Sequence, residues 1–324
     1  MSLPSPHEVE EAQREEVLTS GRPYEVLRAL RGSLRELVRD KAGLFGVLVV
    51  LALVFVAIFA PWLAPHDPSR QSLSDRLVPP FWESGGSFTH VLGTDNLGRD
   101  VLSRIIYGAR VSLLVGLSVV LLAGVVGTTL GLISGYRGGR VDAWIMGAVD
   151  TQVAFPGLLL ALVILSVVSP SATSIIIVLA LNGWMVYARM ARGVVLSVKE
   201  MPYVEAAEIV GCRPRRVVAR HILPNLASPL LTLAILEFAR IVLAEAALSF
   251  LGLGIQPPQV SWGLMVAEGR AYIFRAWWLV TFPGAAIAIT VLGINLLASW
   301  LRVAADPQER EKRFAATART GSVA

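Results

Sequence analysis

The sequence predicts an all-α polytopic membrane protein with six spanning helices, and three observations carry that prediction. First, the 324 residues are 54% hydrophobic and only 16% charged, with a mean hydropathy of +0.62. Soluble domains run at about 45–50% apolar, counting Gly but not Tyr, and about 25% charged; on that convention this chain reaches roughly 61%. Second, the apolar residues lie in runs of about twenty, long enough to cross a roughly 30 Å core at about 1.5 Å per residue. Third, Lys and Arg divide unequally between alternate connections. Disorder is excluded, and an ordinary soluble enzyme does not fit.

The elements follow in chain order. Residues 1–43 form an N-terminal segment that begins acidic, with Glu8, Glu10, Glu11, Glu15 and Glu16. Over 26–41, Leu27, Leu30, Leu34, Leu37 and Val38 make one apolar face with Arg28, Arg31, Arg35 and Arg39 beside it. This reads as an amphipathic helix on the inner leaflet, with packing on a soluble partner as the alternative. The first span, 44–63, is uncharged; the acidic start and the late onset of the run disfavour a cleaved leader. The second, 111–136, is also uncharged and carries Ala123, Gly127, Gly131 and Gly135 on one face. Such a stripe lets another backbone approach, either within the chain or in a partner subunit. The third span is expected over 143–168, with Asp150 near its inner side and a kink at Pro156. The fourth covers 174–188, the fifth 227–253 and the sixth 278–303. Residues 44–303 thus form the membrane domain, with an external loop at 64–110, an internal loop at 193–225 and an internal tail at 304–324.

Orientation comes from the basic residues. With the N-terminus inside, the inner segments hold 21 Lys and Arg and the outer ones 7, so both termini are expected in the cytoplasm. Trp62, Trp277 and Trp278 fall at outer ends, and Tyr136, Trp144 and Trp300 at inner ends, as an aromatic belt requires. The net charge of +5 is therefore read as lipid orientation, with no nucleic-acid partner expected.

Some chemistry has no carrier. Cys212 stands alone, so no disulfide framework or multi-cysteine metal site is expected, and the residue reads as a small inert side chain. The three lysines, Lys41, Lys199 and Lys312, do not follow glycine as a phosphate-binding loop requires. No HExxH occurs and no histidine falls inside a span, which disfavours metalloprotease and His-dependent hydrolase chemistry. The chain is expected to be no enzyme, with no cofactor or metal of its own.

The internal loop carries the functional signal. Pro202 suits a first helical turn, and Tyr203 to Val210 are helix-compatible. Gly211 can take the left-handed conformation that closes a helix. Pro214 can open a second short helix, and Leu223-Pro224 reads as the next stop. Two short helices at an angle are expected at the membrane surface. Glu205, Ala206, Ala207, Gly211, Leu223 and Pro224, at this spacing, resemble the EAA signature of ABC-importer permeases, with His221 where Ile is usual. A second Glu-Ala-Ala at 245–247 lacks the spaced Gly.

The resemblance extends further, to the C-type permeases of dipeptide and oligopeptide importers. It is carried by the segment from Leu92 to Arg104, by Tyr136-Arg137-Gly138-Gly139 with Asp142, and by Ala154-Phe155-Pro156-Gly157. It continues in the segment from Ala244 to Gly254 and in Pro257-Pro258 followed by Ser261-Trp262-Gly263. Ala298-Ser299 stands where Gly-Asp is usual. The resemblance implies a permease subunit of the bacterial plasma membrane that works with a second permease, two ABC ATPases holding ATP and Mg, and an external substrate-binding protein. It implies that Glu205, Ala206, Ala207, Gly211, Leu223 and Pro224 couple this chain to the ATPases. Nickel or glutathione import is the alternative on the same architecture. An ion-gradient secondary transporter is the alternative of another class; it predicts internal repeats and paired broken helices, and no clear repeat is visible. A scaffold subunit does not account for the spaced motif.

Three charges inside the fifth span are candidate pathway-lining residues, because intramembrane charges face protein or water. Glu237 and Arg240 are three apart and can pair. Glu245 lies about 140° around the helix from Arg240. A structural role, holding the span to its neighbours, stays open for all three.

Overall fold

In the computed structural model, which describes residues 37–38 and 40–305, the membrane domain is mostly helical, with irregular backbone in its connecting segments. Among the described residues no strand forms; Thr94 and Asp100 make one isolated bridge. The acidic start, most of the amphipathic helix expected over 26–41 and the tail from 306 lie outside the described residues.

Helix α1 (Lys41–Leu63) is opened by Asp40, whose Oδ1 accepts from the backbone N–H groups of Ala42 and Gly43 at 3.1 and 3.2 Å. This satisfies amides that lack a partner in the first turn. Leu48, Leu51, Phe55 and Ile58 on its outer face are exposed, as a lipid-facing surface would be. Gly46 lets it cross the last helix closely: a Cβ there would sit 2.5 Å from the Leu297 amide and 2.6 Å from the Gly293 carbonyl.

Helix α2 (Val101–Arg137) is 37 residues long, ten residues longer at its start than hydropathy indicates. Arg104 and Arg110 depress the apolar signal, but Asp100 caps the true N-terminus by accepting from the Ser103 amide at 2.8 Å. At about 1.5 Å per residue the helix exceeds the apolar thickness.

The third span departs from expectation. Instead of one kinked helix, α3 (Gly139–Val153) and α4 (Gly157–Val167) meet at an 85° bend. Pro156 has no amide to donate and disfavours helical backbone at the residue before it. It sits in extended conformation, with φ −60° and ψ 114°, as the cap of α4. With 15 and 11 residues on its two arms, this is a broken span or a re-entrant turn.

Helix α5 (Ala172–Lys199) starts at Ser171, whose Oγ accepts from the Ser174 amide. It continues eleven residues past the apolar run, because Arg189 and Arg192 find carboxylates on α3. Arg189 donates to Asp150 at 2.6 Å, and Arg192 forks onto Asp142 at 2.6 and 2.7 Å. Helix α5 packs along much of α2, which answers the question posed by the small-residue stripe. A Cβ on Gly127 would strike the Trp184 carbonyl and one on Gly131 the Ala188 carbonyl, while one on Gly135 would lie 2.8 Å from Val195 Cβ. The stripe serves packing within the chain.

Helix α6 (Pro202–Ile209) follows, then α7 (Pro214–Phe250). Here a second expectation fails, because Leu223-Pro224 does not stop the chain. A π turn at Val218–Ile222 widens the helix, and the Leu223 amide bonds back to the Val218 carbonyl. The Asn225 side chain donates to the His221 carbonyl at 2.5 Å. The wider turn accommodates the ring and missing donor of Pro224. Short helix α8 (Trp262–Gly269) and long α9 (Trp278–Ala305) complete the chain.

Two apolar clusters organise the packing. Val119, Leu165, Ile175 and Leu248 join α2, α4, α5 and α7. Leu53, Val101, Trp262 and Leu279 join α1, α2, α8 and α9.

Candidate functional site: the α6 turn and the charges of α7

Pro202 takes the first turn of α6 and Gly211 closes it, as the spacing predicts. The glycine has φ +83°. Its amide bonds the Glu208 carbonyl at 2.9 Å, and the Cys212 amide bonds the Ala207 carbonyl at 3.0 Å. Together these form the two-bond left-handed closure that glycine favours. Pro214 then opens α7 in a new direction.

One buried side chain roots this turn. Val204 is fully buried among Val195 and Val198 of α5 and Val217, Ile222 and Leu226 of α7. Polar contacts brace its sides: Tyr136 Oη donates to Glu208 at 3.3 Å, and Asn225 donates to Tyr203 Oη at 3.3 Å. Lys199 lies 5.4 Å over the Tyr136 ring. Glu205, Ala206 and Gly211 are exposed on the outer side, and Ala207 is half-buried. Leu223 and Pro224, also exposed, start the α7 segment after the π turn. Sequence reasoning missed the tip itself. Ile209 and Val210 are 83% and 82% exposed, apolar side chains adjoining the bracing carboxylate Glu208. The signal was available, since an Ile-Val pair directly before a cap glycine ends on the helix's free side.

The charges of α7 separate into two environments. Arg240 Nη1 donates to both carboxylate oxygens of Glu237, at 3.2 and 3.3 Å. The glutamate side chain is 10% exposed and the arginine 56%, so the pair presents its cation outward. Glu245 lies elsewhere, 1% exposed. Its Oε1 accepts from Ser249 Oγ at 2.7 Å, while its Oε2 is buried without a hydrogen-bond partner among the described residues. Ser249 Oγ in turn accepts from the Ile255 amide at 3.1 Å, which fixes the turn after α7.

A second charged cluster draws three of its four members from the segment Leu92 to Arg104. Asp95, Arg99 and Arg104 converge with Glu268 of α8. Arg99 donates to Asp95 at 2.6 Å and to Glu268 at 2.9 Å, and Arg104 donates to Glu268 at 2.8 Å and also to Asp95. Arg104 is 1% exposed. Two cations and two anions thus neutralise one another at the end of the molecule remote from α6. Glu268 is 164 residues from Arg104, so no local spacing announces the set. Trp262 Nε1, donating to the Ile105 carbonyl at 2.9 Å, and Trp278 Nε1, donating to the Thr94 carbonyl at 3.2 Å, clamp the same corner.

Comparison with known proteins places this geometry in context. Residues 127–311 match the family model described as binding-protein-dependent transport system inner membrane component. Residues 29–80 match the N-terminal TM domain of oligopeptide transport permease C. The di/tripeptide transport system permease protein DppC of Pseudomonas aeruginosa is 44% identical over 269 residues, covering 83% of this chain and 89% of that one. The dipeptide transport system permease protein DppC of Escherichia coli K12 is 45% identical over 273 residues, covering 84% and 91%. Among solved structures, a chain of the MetNI methionine ABC transporter aligns with a TM-score of 0.51 at 16% identity. It covers 62% of this chain and 96% of that chain, a likeness of fold.

Proposed function

Because the chain belongs to the family of binding-protein-dependent transport system inner membrane components, we propose that this multi-pass inner-membrane protein is a permease subunit of an ATP-driven importer of di- or oligopeptides. Names of the relatives at 44% and 45% identity support the peptide substrate. The observation that carries the coupling part of the reading is the α6 turn. An exposed apolar tip, Ile209 and Val210, stands on a rooted base beside the end of α2. We read this adjoining pair as part of a contact surface, since contiguous exposed apolar patches mark such surfaces. The partner that fits is the ATPase.

In this reading the chain pairs with a second permease of similar kind, and the two form the pathway. An external binding protein delivers the peptide. Two ATPases dock on the α6 turns and hold ATP and Mg, so hydrolysis takes place outside this chain. Closure of the ATPase pair pushes Glu205–Gly211. Val204 transmits the push, because its neighbours belong to α5 and α7, and packed apolar contacts shift as units. The pathway alternates between two openings, the bistable element that coupling requires. Of the three intramembrane charges, Arg240 suits a peptide carboxylate best: Glu237 tethers it while more than half of its side chain stays exposed. Glu245 is enclosed by its own chain and suits a structural role.

Gly211→Leu tests the coupling assignment. The variant should insert into the membrane while peptide uptake falls; uptake at the unmodified rate would sink the assignment. Purification from native membrane separates the classes. A second permease and two ATPase chains should accompany this one, whereas an active homomer would point to an ion-gradient transporter.

A further inference from the structure

We propose that His66, His90 and Asp100 form a binding site for one divalent transition-metal ion of the zinc class. The three residues come from separate parts of the chain: His66 just after α1, His90 at the end of the short turn Phe88–His90, and Asp100 at the cap of α2. Their ligand atoms all lie within 4.8 Å of one another. His90 Nδ1 is 3.0 Å and His66 Nδ1 3.8 Å from the same oxygen, Asp100 Oδ1. Zinc-to-nitrogen and zinc-to-oxygen bonds of about 2.0–2.2 Å at the tetrahedral angle separate donors by roughly 3.3 Å. The two observed separations bracket that value, so shifts of a few tenths of an ångström bring the carboxylate and each imidazole to ligand spacing, and the two imidazole donors lie within 4.8 Å of each other.

Three further observations point to a ligand at this cluster. His66 Nδ1 is buried without a hydrogen-bond partner among the described residues, so a ring nitrogen is aimed at the cluster with nothing bonded to it. The two imidazoles lie side by side with centroids 4.8 Å apart. Asp100 divides its oxygens between two tasks. Oδ2 accepts from the Ser103 amide at 2.8 Å and from Ser103 Oγ at 2.7 Å, which closes the cap and orients the carboxylate. Oδ1 faces the histidines and is hydrogen-bonded to His90 Nδ1 at 3.0 Å, a contact that a bound cation would replace. The His66 amide donates to the same Ser103 Oγ at 3.0 Å. Such fixing of a ligand carboxylate by outer hydrogen bonds is a recurring property of metal sites. Two imidazoles and one carboxylate suit a borderline cation and leave a fourth position open. Bound there, the ion would staple the end of the first span, the connecting segment and the start of the second span at one point.

The test uses the full-length chain purified in detergent without a polyhistidine tag, stripped with chelator and titrated with Co²⁺. One Co²⁺ per chain should give a visible ligand-field band that Zn²⁺ abolishes by displacement. His66→Ala and His90→Ala should each weaken binding by about tenfold or more, since even outer-shell losses cost that much. Asp100→Asn retains a capping acceptor and so keeps the helix start while weakening the site. His221→Ala, remote from the cluster, should leave the titration unchanged. Absence of a Co²⁺ band in the folded wild-type chain overturns the proposal. So does undiminished binding in the His66→Ala/His90→Ala double variant. Either result leaves the transport reading standing.

Discussion

Arg104 joins both carboxylates of the charge cluster at the end remote from α6, Asp95 and Glu268, and is 1% exposed. Arg104→Met would leave those two carboxylates sharing Arg99. Breaking a buried ion pair costs about 3–5 kcal/mol, and the low end applies because Arg99 still touches both acids. The expected outcome is a clear loss of thermal stability in detergent; an unchanged melting temperature would mean that the cluster is not a stability element. Gly211 raises a different question at the same scale. With nothing within 4 Å of a Cβ placed there, a substitution meets no steric wall, and only the φ of +83° penalises it. Asn enters this conformation readily, whereas other L-residues pay about 1–2 kcal/mol. Gly211→Asn should therefore retain more uptake than Gly211→Leu. Equal losses would shift the cause from backbone conformation to a clash with the docked partner.

At the scale of elements, the α2–α5 contact is made by backbone. The Cβ positions of Gly127 and Gly131 are occupied by carbonyls of Trp184 and Ala188, and carbonyls cannot rotate out of the way. Gly131→Leu must drive the helices apart, so its cost should reach or exceed the about 1–3 kcal/mol typical of overpacking. Gly147→Leu, in α3 with no neighbour within 4 Å, should cost nothing and gain about 0.5–1 kcal/mol, because a mid-helix glycine is the poorer helix former. Thermal denaturation of both variants in the same detergent checks the contrast. The π turn is the other element-scale device. It carries Pro224 without ending α7, so the segment from Pro214 to the charged span is one continuous helix that packs against α6 through Val217, Ile222 and Leu226.

For the whole molecule, the two ends are held together by different means. Around Arg104 the chain closes on itself through a neutral charge cluster and two indole clamps. Around α6 it offers exposed apolar side chains on a rooted turn. The Ile209→Asp/Val210→Asp double variant should fold and insert, because neither residue is buried. It should lose the ATPase chains on purification. Co-purification at the wild-type ratio would move the docking surface elsewhere on the chain.

Much of this was legible in residue order alone, because hydropathy and glycine conformation are local properties. Six apolar runs, the closure at Gly211 and the pairing of Glu237 with Arg240 all depend on neighbours within a few positions. The small-residue stripe announced a close helix contact but not its partner. The bend at Pro156 was placed correctly but underestimated, since one proline permits anything from a kink to a break and the surrounding packing selects. The continuation of α7 through Pro224 needed a widened turn that no spacing encodes. Charge clusters were the least legible: Glu268 joins Arg104 across 164 residues, and His66 joins Asp100 only when the first span returns the chain to the start of the second. The sequence by itself determined an all-α membrane permease with a glycine-closed turn at Gly211, because lipid demands long apolar helices and the turn is built from adjacent residues. Only the tertiary structure decided which helices touch, which charges neutralise one another and which apolar side chains remain uncovered. Those outcomes depend on distances between segments, and chain order does not contain them.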